Sequence, residues 1–65
     1  MPSIIYFTDE VPGLGDHVVV RESPADVAHL LRVAARNDRP SIRVTIGGEP
    51  AHLPVRLVGP VLTVQ

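Results

Sequence analysis

The residues of this 65-residue chain best placed to do chemistry near neutral pH are His17, His29 and His52, because histidine's ordinary pKa lies closest to it. They fall at a strand start, on a helix exterior and on a hairpin arm. No two have the i, i+4 spacing with which a helix presents a metal pair, so separate, solvated or pairing histidines are expected. Asp9, Glu10 and Asp16 could gather a cation with loop carbonyls. Their spacing matches no calcium loop, and acids beside a Pro-Gly turn are read as solvated. Ser23 is better used as a helix cap, Ser3 and Ser41 begin strands, and no histidine–acid pair stands ready to activate a hydroxyl. Gly13-Leu14-Gly15 and Gly47-Gly48 are too short to cradle a phosphate, and the first precedes a strand instead of a helix. The expectation is a non-enzyme with no catalytic residue, no metal site, no cofactor and no evident small-molecule ligand.

The arginines are the other chemical resource. All six basic residues are Arg, against seven acids, for a net charge of −1. Biased codon use in a GC-rich genome accounts for the absence of Lys, although Arg also binds carboxylate and phosphate through a fork that Lys lacks. Arg32, Arg36 and Arg39 cluster at a helix end with Arg43 near, a candidate patch for an anion or an acidic partner. The same charges also answer the helix dipole and neighbouring Asp38. Balanced charge, with Tyr6 and Phe7 the only aromatics, argues against nucleic acid as the main partner. A small regulator touching nucleic acid through the Arg patch is the second reading.

These side chains must be positioned by short elements. Ile4 to Thr8 reads as a strand, followed by a loop over Asp9 to Asp16 marked by Pro12-Gly13, Gly15 and three acids. His17 to Glu22 reads as a second strand, with Val18 and Val20 on one face and Val19 on the other. The helix runs roughly from Ser23 to Asn37. Ser23 is its cap, Pro24 suits the first helical position, and Asp26 falls where a capping-box acid sits. Val27, Leu30, Leu31 and Ala34 form its buried stripe, His29, Arg32 and Arg36 fall outside, Asn37 is the expected left-handed C-cap and Pro40 stops continuation.

Ile42, Val44 and Ile46 alternate with Arg43 and Thr45, and Gly47-Gly48 predicts a tight turn. A two-residue loop places Val44 opposite Ala51, Arg43 opposite His52 and Ile42 opposite Leu53. Pro50 and Pro54 put the return strand at an edge. Val55 to Val58 and Val61 to Val64, parted by Gly59-Pro60, suggest one or two more strands. The fold class is α+β, a single domain over residues 1–65 in ββαββ(β) order. One helix packs on a mainly antiparallel sheet, or crosses a mixed sheet in a β-grasp-like arrangement.

The stretch Val18-Val19-Val20-Arg21-Glu22-Ser23-Pro24-Ala25-Asp26-Val27 resembles the strand-to-helix join of the FlbD family of small flagella-associated proteins, where a strand ends in a Glu-Ser-Pro-like cap and runs into a helix. The hairpin from Ile42 to Leu53 looks like that family's opening hairpin, placed here after the helix. The resemblance covers about half the chain, in permuted order, and implies only a fold.

Size and composition then point to association. A domain this small buries only about 60% of the surface its unfolded chain exposes, and such chains add disulfides, a metal or oligomerisation. Cysteine is absent and 45% of the residues are hydrophobic. One helix covers one sheet face, so either Ile5 and Phe7 or Ile4 and Tyr6 must turn away from it, with Val19. The competing arrangement folds the C-terminal strands over that face. The expected contacts are Ile5, Phe7, Val19, Val58, Val61 and Leu62, with Arg side chains at the rim. The expected partner is a second copy or another protein. The run Ile4 to Phe7 is too short to span a membrane, so the expected setting is cytoplasmic, or virion-associated for a phage structural or accessory protein.

Overall fold

The computed structural model describes residues 1–65. Strand β1 (Ser3–Val11) and β2 (Gly15–Val20) precede helix α1 (Pro24–Arg36). Then come β3 (Ser41–Ile46), β4 (Glu49–Pro54), a single 3-10 turn (Val55–Leu57) and β5 (Val58–Thr63). The strands form two sheets, a three-stranded one in the order β2-β1-β5 and a separate β3-β4 hairpin. All pairings are antiparallel, so the α+β class holds without the mixed sheet of a β-grasp. Ile5, Phe7, Val18 and Val20 of the first sheet, Val27 and Ala34 of α1, and Ile42, Val44 and Leu53 of the hairpin enclose one core.

The first turn is tighter than its composition suggests. Val11 accepts from Leu14 N–H at 3.0 Å, and Gly13 sits at φ 86°. With Pro12 before it, this is a type II turn, which requires positive φ at its third residue. The strand therefore runs on through Asp9, Glu10 and Val11, where sequence polarity predicts a loop. Tertiary contacts account for it: Phe7 pairs with Val58, the Thr8 hydroxyl donates to the Arg56 carbonyl at 2.9 Å, and Val11 packs against the core.

The helix is bounded as its caps dictate, with one correction. Ser23 Oγ accepts from Asp26 N–H at 3.1 Å, and Pro24 opens the first turn. At the other end Asn37 has φ −102°, and the left-handed position falls one residue later, on Asp38 at φ 57°. Asp38 N–H bonds the Ala35 carbonyl at 3.4 Å and Arg39 N–H bonds the Ala34 carbonyl at 2.8 Å. This is a Schellman cap with an aspartate where glycine is usual.

The second hairpin has the expected register, Ile42 with Leu53, Arg43 with His52 and Val44 with Ala51. It turns on Gly47 and Gly48, both at positive φ. Past it, Val55 to Leu57 is a 3-10 turn and not a strand. β5 then carries a bulge, because Phe7 faces Val58 and Ile5 faces Val61, leaving Gly59 and Pro60 together opposite Tyr6. Pro60 needs no ladder partner there.

The two sheets meet where β2 ends. The strand stops at Val20, two residues before its expected limit, because Arg21 and Glu22 turn to β3. Arg21 N–H donates to the Thr45 carbonyl at 3.0 Å, and the Glu22 carboxylate takes the Thr45 amide. Buried Ser3 donates its hydroxyl to the Glu22 carbonyl at 2.7 Å, which ties β1 into the same junction.

Candidate association surfaces

Strand alternation sorts the first sheet into an inner and an outer face. Ile5 is fully buried and Phe7 is 9% exposed. Both belong to the core, so the expectation that they form contacts is corrected in favour of Ile4 and Tyr6. The reason is pairing: Val18 and Val20 face inward, and Ile5 lies opposite Val18 in the hairpin register. Val58 and Val61 pack partly buried against the core. Of the six expected contacts, only Val19 (49% exposed) and Leu62 (54% exposed) lie on open surface. The hydroxyls of Tyr6 and Thr8, which share parity with Ile4, were the available signal. Asp9, on the parity of Ile5 and Phe7, obscured it.

The outer face is nevertheless apolar across its width. Ile4 on the central strand is the Cα partner of Val19 on one side and Leu62 on the other, a three-residue row crossing all three strands. The neighbouring row sets Tyr6 opposite His17, with ring centroids 5.9 Å apart and planes at 41°. His17 Nδ1 also lies 2.8 Å from Asp16 Oδ1, and that hydrogen bond holds the exposed Asp16 carboxyl below its ordinary range.

The edge strands of this sheet are β2 and β5. Val64 N–H donates to the Pro2 carbonyl at 3.0 Å, which sets the parity of the β1–β5 ladder. Bonded and non-bonded pairs alternate along an antiparallel ladder, so the backbone groups of Val61 and Thr63 point away from β1. By the same alternation those of Val19 point outward from β2, on the side where Arg21 reaches Thr45.

The second surface is a groove of about 310 Å³ between the end of α1 and the β3-β4 hairpin. Leu30, Val33, Ala34 and Ile42 give it an apolar floor, and Arg39, Arg43 and His52 stand around it. Arg39 is brought there by the Schellman cap, and Arg43 and His52 by their cross-strand register. Of the expected Arg patch the groove therefore collects Arg39 and Arg43, while Arg32 and Arg36 stay on the exposed helix exterior. His52 joins them, which the hairpin register could have revealed. The only ion pair within 4.0 Å in the chain is His17–Asp16, so none of the arginines has a carboxylate partner at that distance. A second hollow of about 400 Å³, mostly polar, is lined by Arg21, Glu22, Arg43 and Thr45 among others. His17, His29 and His52 lie on β2, α1 and β4, and no three His, Asp or Glu side chains converge. No helix is long and apolar enough to cross a membrane. Comparison with protein-family models, curated proteins and solved structures finds no match.

Proposed function

We propose that this chain is a non-enzymatic protein–protein interaction module that self-associates or serves as a subunit of a larger assembly, in a cytoplasmic or virion setting. Its contact surface is the outer face of the three-stranded sheet. The observation that carries this reading is the Val19–Ile4–Leu62 row, an apolar strip on a sheet face that neither the helix nor the second hairpin covers. Fully burying a side chain of this kind contributes about 1.5–3 kcal/mol. These are partly buried already, so the row supplies a few kcal/mol against an association cost of roughly 4–15 kcal/mol. Association through this face therefore also draws on the β5 edge, which can pair with another strand.

Native mass by light scattering over a concentration series tests the proposal. The wild-type chain should gain mass with concentration, and Val19→Asp should remain folded and gain less. A Val19→Asp variant that keeps the wild-type mass would remove this face as the contact.

A further inference from the structure

The tip of the β1–β2 hairpin and the groove beside the end of α1 are opposites in charge and share an apolar centre. Residues 9–16 contain Asp9, Glu10 and Asp16, three of the chain's seven acids, and no basic residue. All three are exposed, and the type II turn holds Leu14 out among them, 46% exposed. The groove has the reverse arrangement, an apolar floor including Leu30 and Ile42 beneath Arg39, Arg43 and His52, with no acid lining it. None of residues 9–16 lines the groove of its own chain. At about 310 Å³ it admits one or two side chains, not a whole element of structure.

We infer that the Leu14 tip of one copy docks in the Arg39–Arg43–His52 groove of a second copy, with Asp9 and Glu10 facing the two arginines. The inference rests on the reading of the chain as a self-associating module and names a second contact for it. Leu14 supplies apolar burial, and the charges supply orientation and rate more than affinity. Asp16 is already engaged by His17 and contributes less. Tip and groove are different patches, so the contact is heterologous and repeats from copy to copy into a ring or an open chain. It supplies what the apolar row lacks, a directional contact that fixes how copies follow one another.

The test uses the whole chain and two double reversals at exposed positions, Asp9→Arg/Glu10→Arg and Arg39→Glu/Arg43→Glu. Circular dichroism establishes that each remains folded, and sedimentation to ~1 mM reads association. The wild type should associate more weakly as salt rises, and each reversed variant alone should lose at least about tenfold in affinity. A one-to-one mixture of the two should recover association, because each reversed surface then meets a complementary one. Leu14→Ser, which changes no charge, should weaken self-association by about tenfold.

Reversals that keep wild-type mass, or a mixture that stays monomeric, overturn the inference. Association lost in Val19→Asp but kept in both reversals overturns the groove contact and leaves the sheet face standing. The opposite pattern removes the sheet face and leaves the groove. A wild-type chain that stays monomeric throughout overturns both. Salt-sensitive binding of a labelled oligonucleotide, abolished by Arg39→Glu/Arg43→Glu in a chain that stays monomeric, assigns the groove to phosphate instead.

Discussion

Glu22 grips Thr45 with both carboxylate oxygens: Oε1 accepts the Thr45 amide at 2.8 Å and Oε2 accepts the Thr45 hydroxyl at 3.0 Å. Thr45 lies on the edge of β3 that faces β2, and its carbonyl already receives Arg21 N–H. The carboxylate thus completes, with a side chain, a ladder step that the backbone does not make. The two sheets share no paired strands, so this junction holds the β3-β4 hairpin, and with it Arg43 and His52, in register with the first sheet.

Removing the carboxylate should loosen that junction. Hydrogen bonds to a charged group contribute roughly 1.5–3 kcal/mol. Glu22→Ala should therefore lower stability by about 2 kcal/mol, and Glu22→Gln by less, because its amide oxygen can still accept. A double-mutant cycle with Thr45→Val should show coupling. Additive losses in urea denaturation would mean the contact carries no energy.

The same carboxylate should make stability depend on pH. Partial burial pushes the Glu22 pKa up, but the Thr45 amide, the residue's own amide and the Thr45 hydroxyl outweigh it and hold the group below its ordinary value. A carboxyl with a depressed folded pKa stabilises fully above the unfolded glutamate value. That contribution is lost as pH falls through the lower folded value. Melting temperature should fall on acidification across this window, with a shallower slope for Glu22→Gln. Equal slopes in the two proteins would rule Glu22 out as the source.

Gly59→Ala should destabilise through contact. A Cβ at Gly59 would sit 2.6 Å from the Tyr6 carbonyl oxygen, a backbone atom that cannot swing aside. Opening the β5 bulge to relieve it should cost about 1–3 kcal/mol. An unchanged denaturation midpoint would show that β5 slides freely there.

Asp38 should respond to substitution by shape. At φ 57° it occupies the left-handed region, which aspartate tolerates and a β-branched residue does not. Asp38→Val should lose roughly 1–3 kcal/mol, while Asp38→Gly should lose none. Equal stability of the two variants would mean that the Schellman cap does not constrain this residue.

The strand parity predicts opposite fates for two aspartate substitutions. Phe7→Asp puts an unpaired charge in the core and should unfold the chain, since burying it costs more than a small domain's margin. Val19→Asp, on the open face, should fold with a melting temperature close to wild type. Thermal melts followed by circular dichroism separate the two.

Local chemistry alone determined the helix with its Ser23 cap, the Gly47-Gly48 turn, the β3–β4 register and the α+β order. Each of these is set by residues a few positions apart, so spacing and φ preference suffice. Strand β1 was legible only in its apolar half, because the contacts that carry it past Phe7, the Thr8–Arg56 hydrogen bond and the packing of Val11 on the core, join it to residues far along the chain. Which face of Ile4 to Phe7 turns inward was also undecided, since apolar side chains occupy both parities and only pairing with Val18 and Val20 breaks the tie. The meeting of Arg39, Arg43 and His52 over an apolar floor, and the Glu22–Thr45 junction, belong wholly to the tertiary structure. They join residues from separate elements, and a sequence records the types of such residues without the distances that packing sets between them.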